Sequence, residues 1–204
     1  MQYIQNNVFL NLCNNIRGWK KGGYFMEFQS LLEERKSMRG YDSSKKVTKE
    51  QLVTIISAAI LAPSWKNQQT SRYYCVISDE KVKEFSAKCL PEFNQKNSNG
   101  AALVVTTFVK GIVGFNINTG EAINECGDGW GYYDLGLHNE NFILKAKELG
   151  LDTLIMGIRD EGAIRAFLDI PETEQVVAVI AVGYGNKDMT RPKRKTVEEI
   201  AKFL

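Results

Sequence analysis

Apolar residues in the first third of the chain recur at helical spacing. Phe28, Leu31 and Leu32 stand at i, i+3 and i+4, which predicts a short amphipathic helix running into Glu34-Arg35-Lys36-Ser37-Met38-Arg39-Gly40-Tyr41. Thr48 and Gln51 have the capping-box spacing ahead of Leu52, Ile55, Ile56, Ala59 and Ile60. That second helix is expected to stop near Ala62-Pro63, because the residue before a proline avoids helical dihedrals. Residues 73–77 read as a strand, and Ser78 as the cap of a helix carrying Val82 and Phe85. Residues 91–100 are polar and read as a loop. Residues 101–109, AALVVTTFV, are β-branched and continuously apolar, as a strand covered on both faces would be. Residues 111–131 carry six glycines and form the longest irregular stretch. Tyr133, Leu137, Asn141, Leu144 and Glu148 then mark a long helix closed by Gly150. A short strand at 153–158, a helix capped by Asp160, an apolar strand at 176–184 and a Thr196/Glu199 capping box complete the chain. Helices and strands interleave without strict alternation, which predicts a mixed α+β domain.

Composition narrows the function classes. The 204 residues are 44% hydrophobic and 25% charged, with 26 basic against 24 acidic side chains and a formal net charge of +2. A dense basic stripe of the kind that tracks nucleic acid is missing, so no nucleic-acid partner is expected. No apolar run approaches the roughly 18 residues of a membrane span, and no signal peptide is visible; the expectation is a cytoplasmic protein without a membrane partner. Cysteines at 13, 75, 89 and 126 include no close pair, and His138 is the single histidine. These cannot assemble a zinc set at the usual spacings, so no metal site and reduced thiols are expected. Residues 1–25 are Asn-rich and weakly periodic, and Lys20-Lys21-Gly22-Gly23 is what a purine-rich ribosome-binding site would encode just ahead of Met26. Residues 1–25 are therefore expected to be a translated leader or an N-terminal extension outside the core, with residues 26–204 forming one domain.

Chemistry is concentrated in cations. There is no GxSxG, no GxxxxGK[ST] and no GxGxxG opening a helix, which weakens hydrolase and kinase readings. Arg35, Lys36 and Arg39 cluster with Ser37 after the first helix, and Arg191, Lys193, Arg194 and Lys195 follow the last strand. Either cluster suits a phosphate group, and either could equally be a solvated charge run.

Five segments in order resemble the nitroreductase family of FMN-dependent oxidoreductases. They are the element 34–41, the loop Ala62-Pro63-Ser64-Trp65-Lys66-Asn67-Gln68-Gln69, the helix with Asp134, Asn141 and Lys145-Ala146-Lys147-Glu148-Leu149-Gly150, the segment Ile155-Met156-Gly157-Ile158, and Val182-Gly183-Tyr184 followed by Pro192-Lys193-Arg194-Lys195. The resemblance implies a three-layer α+β sandwich with a mainly antiparallel central sheet flanked by helices. It implies a homodimer with FMN at the subunit interface and NADH or NADPH as electron donor. By the same carry-over Arg35, Lys36, Ser37 and Arg39 hold the flavin phosphate and pyrimidine edge, and Lys193 and Arg194 add phosphate ligands. Pro63, Ser64, Trp65 and Asn67 reach across from the other subunit, and the backbone of Met156 and Gly157 faces the flavin's N5 and O4.

The implied activity is ping-pong reduction of nitroaromatic, quinone or related small-molecule acceptors, with no catalytic side chain, since the flavin carries the chemistry. Two other readings share the fold: a non-redox FMN-binding or storage protein, and a flavin enzyme oxidising a carrier- or peptide-bound substrate. Departures from the family pattern bear on substrate. Thr70-Ser71 replaces the usual Pro-Trp, Trp65 replaces a smaller residue, and Met156 stands where some members carry Glu. The 111–131 loop, with Phe115 and Trp130, is expected to set acceptor choice rather than flavin affinity, unless its aromatics are simply packed under a surface loop.

Overall fold

Local capping chemistry starts most of the helices where the sequence places them. In the computed structural model, which describes residues 27–204, α1 is Phe28–Glu34 and α2 is Lys49–Ala59. Thr48 and Gln51 form the reciprocal capping box, each side chain bonding the other's backbone. A 3-10 turn (Trp65–Asn67) leads into β1 (Ser71–Val76). Ser78 caps α3 (Asp79–Cys89) and Asp160 caps α6 (Glu161–Leu168), each accepting from a first-turn N–H. Between them lie α4 (Glu92–Ser98), β2 (Ala102–Val109), α5 (Gly129–Glu148) and β3 (Asp152–Met156). β4 (Glu174–Gly183) and the short α7 (Val197–Ile200) follow. The leader or extension expected at 1–25 lies outside the described residues.

The sheet runs β1-β2-β4-β3, with every neighbouring pair antiparallel. Side chains alternate across a strand, so the continuous apolar runs of β2 and β4 need cover on both faces. Leu103, Val105, Val179 and Ala181 pack with Phe85 of α3 and Ile164 of α6. Ala102, Val104, Ile180 and Val182 pack with Leu52 and Ile55 of α2 and with Phe142 and Ala146 of α5. The result is the three-layer sandwich that the sequence implied.

Three expectations need correction. Residues 91–100 are not a loop: α4 occupies most of them, held by polar contacts, one of them tertiary, rather than by an apolar face. Its buried Asn94 donates to the Ile158 carbonyl at 2.8 Å, and its Ser98 hydroxyl donates to the Asn94 carbonyl. The α2 helix ends at Ala59, ahead of the expected stop, and passes through turns to Pro63. The long helix begins at Gly129, within the segment read as irregular. The rest of that segment is a run of turns pinned by a bridge between Phe115 and Ala122.

Candidate functional site

Three pieces of backbone carry the residues singled out from the sequence. The first leaves α1 and runs beside β3. Ser37 forms a parallel bridge with Thr153, and the Met38 N–H donates to the Thr153 carbonyl at 2.9 Å. Met38 and Tyr41 point into the core, and Arg39 points out. Gly40 is required here: its φ is +142°, and a Cβ would lie 2.7 Å from the Lys187 Cε.

Contacts spanning 152 and 158 positions of sequence join the segments that carry the two basic clusters. The Asn186 amide donates to the Tyr41 carbonyl at 3.0 Å, Lys36 Nζ lies 3.4 Å from the Asp188 carboxylate, and Arg191 Nη1 donates to the Glu33 carbonyl at 2.9 Å. Among the described residues, Arg35, Arg39, Arg191, Lys193 and Arg194 have no acidic partner within 4.0 Å. The Arg191 Nε is buried and unpartnered as well. Lys193 and Arg194 follow on an exposed stretch, Arg194 donating to the Pro192 carbonyl. Arg191, outside the predicted set, is the cation that ties the tail to α1. The sequence offered its charge but not its contact.

The second piece is the loop 63–67. It turns through two residues with left-handed backbone, Lys66 (φ +47°) and Asn67 (φ +57°), and a third, Gln69 (φ +50°), follows just beyond it; the conformation is uncommon outside glycine. The Ser64 hydroxyl accepts from the Gln69 N–H, and the Trp65 N–H donates to Asp134 Oδ2 of α5 at 2.8 Å. The Trp65 ring lies 4.6 Å from that of Trp130, whose indole N–H donates to Asn124 Oδ1 at 3.0 Å; Tyr133 stands edge-on beyond it. Trp130 is therefore both packed under the 111–131 segment and in contact with the 63–67 loop.

The third piece is the end of β3, where Met156 is buried and Gly157 exposed, its carbonyl accepting from Arg159. Residues 35–39 and 156–157 thus share the β3 edge. The 63–67 loop instead enters the sheet at β1, the opposite edge, three inter-strand steps or roughly 14 Å away. One chain does not bring all twelve residues together.

His138 is buried one helical turn after Asp134, and neither of its ring nitrogens has a hydrogen-bond partner. Burial lowers its affinity for a proton, against the pull of the Asp134 carboxylate and of the Ala62 backbone, which favours the charged ring without making a full hydrogen bond to it. Burial raises the Asp134 carboxyl from its ordinary value, with the Trp65 N–H and His138 opposing. Cys89 is buried, and desolvation raises its thiol to about 11, which leaves it protonated and unreactive at neutral pH. Cys75, Cys89 and Cys126 are unpaired, and the described residues contain no group of metal-ligating side chains. No helix among them is long and apolar enough to cross a membrane.

The model of the nitroreductase family matches residues 32–184. The chain belongs to that family. As a nitroreductase-family member it is 26% identical to MhqN of Bacillus subtilis, provisionally named an NAD(P)H nitroreductase, over 87% of this chain and 99% of that one. An Archaeoglobus fulgidus protein, provisionally named an NADH dehydrogenase/NAD(P)H nitroreductase, is 29% identical over 78% of this chain and 85% of its own length. Among solved structures, a provisionally assigned nitroreductase of Exiguobacterium sibiricum, crystallised in complex with FMN, superposes with a TM-score of 0.73 at 22% identity, covering 87% of this chain and 97% of that one. That likeness establishes the nitroreductase fold.

Proposed function

We propose that this nitroreductase-family protein is an FMN-dependent oxidoreductase that draws electrons from NADH or NADPH. The observation that carries the reading is the convergence of the two basic clusters. Two arginines on the α1 side and three cations on the tail side lack acidic partners among the described residues, and one of the three, Arg191, has a buried, unsatisfied N–H. A phosphate monoester of about −1.5 to −2 charge suits such a donor set, because charge-assisted bonds satisfy what the protein leaves open. The FMN named in the Exiguobacterium structure and the NAD(P)H in the relatives' names point to the same cofactor and donor.

In this reading Arg35, Lys36, Ser37, Arg39, Lys193 and Arg194 bind the phosphate and the polar edge of the flavin, and Arg191 holds the tail in reach. The backbone at Met156 and Gly157 orients the ring. Pro63, Ser64, Trp65 and Asn67 come from the partner subunit, which is why one chain keeps them at opposite sheet edges. When bound, FMN supplies two-electron chemistry between the nicotinamide and a nitroaromatic, quinone or related acceptor. Donor and acceptor use the same face in turn, in ping-pong order. The protein's part is to bind, orient and exclude water, and no side chain is assigned as acid or base. Anaerobic titration of the FMN-loaded protein with NADH and with NADPH tests this: loss of the yellow colour with one or both is expected, with recovery on adding a quinone. A protein that retains no FMN, or whose FMN stays oxidised under both nucleotides, counts against it.

A further inference from the structure

We propose that Asp134 is a positioning residue for the 63–67 loop, holding it in the left-handed turn that presents it to the partner subunit's flavin. The last step rests on the function proposed above; the clamp itself does not. Among the described residues, the hydrogen bonds of residues 63–69 stay within the local segment, with one exception. Asn67 N–H bonds Ser64, Gln68 N–H bonds Trp65, the Gln69 N–H bonds the Ser64 hydroxyl, and Arg72 bonds Gln69. The exception is the Trp65 N–H, which donates 2.8 Å to Asp134 Oδ2 across 69 residues of sequence. A turn with three left-handed non-glycine residues persists only where its surroundings over-determine it.

Asp134 is suited to that task. Only 3% of it is exposed, so water competes weakly for its oxygen, and a charged acceptor makes the stronger bond. The ring contact between Trp65 and Trp130 fixes the side chain of the same residue whose amide Asp134 holds, so both ends of Trp65 are fastened to α5. His138, the other titratable group facing Asp134, lies on the same helix and leaves the loop bond to the carboxylate.

Amide hydrogen exchange of the apo protein, followed at the Trp65 N–H, reads the clamp without any cofactor. In the wild type this amide is expected to be more protected than the loop's solvent-facing N–H groups. Asp134→Ala should speed its exchange roughly 10- to 150-fold, the value of a hydrogen bond to a charged group, and D134N, which keeps a neutral acceptor oxygen, should restore part of the protection. In the FMN-loaded dimer, affinity for FMN should fall in Asp134→Ala and recover in D134N. An unprotected Trp65 amide in the wild type overturns the clamp even if Asp134→Ala does not fold. Equal exchange in all three chains overturns it as well, and equal FMN affinity in all three overturns the positioning role. A wild type that takes up no FMN refutes the proposed function instead, and the exchange data still decide the clamp.

Discussion

Arg35 lies two residues beyond Glu33, whose carbonyl accepts from Arg191, and Arg194 follows three residues after Arg191 on an exposed stretch; in the function proposed above both charges act on one phosphate. Each is without an acidic neighbour among the described residues, and removing either should not disturb the packed layers. Arg35→Ala and Arg194→Ala are expected to weaken FMN binding roughly 10- to 150-fold each, the range for losing a hydrogen bond to a charged group. Flavin fluorescence after dialysis measures it, and unchanged retention in both variants would contradict the phosphate assignment. Lys36 should matter less if Asp188 stays bound to it, since that ion pair already occupies its charge. The residue patterns that declared themselves in the sequence were those whose chemistry is local or whose charge has no other use. Asp134 stood out only as part of the helix motif, and its contact did not, because a carboxylate in an amphipathic helix looks the same whether it faces water or a loop 69 residues away.

α5 shows the same division between local and distant causes. Its end was legible: Gly150 sits at φ +75° with nothing within 4 Å of where a Cβ would be, so its role is backbone conformation alone. Its start was not legible, because Gly129 and Gly131 argue against a helix on propensity. Gly131 is there for packing, since a Cβ would come within 2.3 Å of the fully buried Phe108 ring. Two glycine-to-alanine changes therefore destabilise for different reasons. Gly150→Ala should cost about 1–2 kcal/mol through the left-handed backbone. Gly131→Ala would gain about 0.5–1 kcal/mol of helix propensity, but the overpacked ring costs about 1–3 kcal/mol, so a net loss is expected. Urea midpoints of the two variants check both signs; a stabilised Gly131→Ala would mean that Phe108 yields. The α4 helix was missed for a related reason. Its sequence is polar, and its register depends on Asn94 reaching the Ile158 carbonyl, a partner 64 residues away.

At the scale of the whole molecule, the strand order explains why the family motifs form two groups. The layers were legible because the apolar runs of β2 and β4 demand cover on both faces, whereas the separation of the 63–67 loop from the β3 edge depends on strand order, which no local pattern encodes. If the dimer completes the site, binding and assembly are linked: FMN should tighten the dimer by the same factor by which the dimer tightens FMN. Sedimentation of apo and loaded protein at low concentration should show a lower dissociation constant with FMN, and a monomer that keeps its FMN would overturn the shared site. The tail that meets α1 has another consequence. Residues 185–191 are tied to the fold by the Gly185–Tyr41 bridge, Asn186, Asp188, Met189 and Arg191, and the lysines and arginine at 187, 193, 194 and 195 are all exposed. Trypsin should clip this tail while sparing the buried strands, so the tail can serve as a built-in gauge of occupancy: a ligand that gathers Lys193 and Arg194 slows the cut, and the half-life of full-length chain on a gel reads out binding without any colour change.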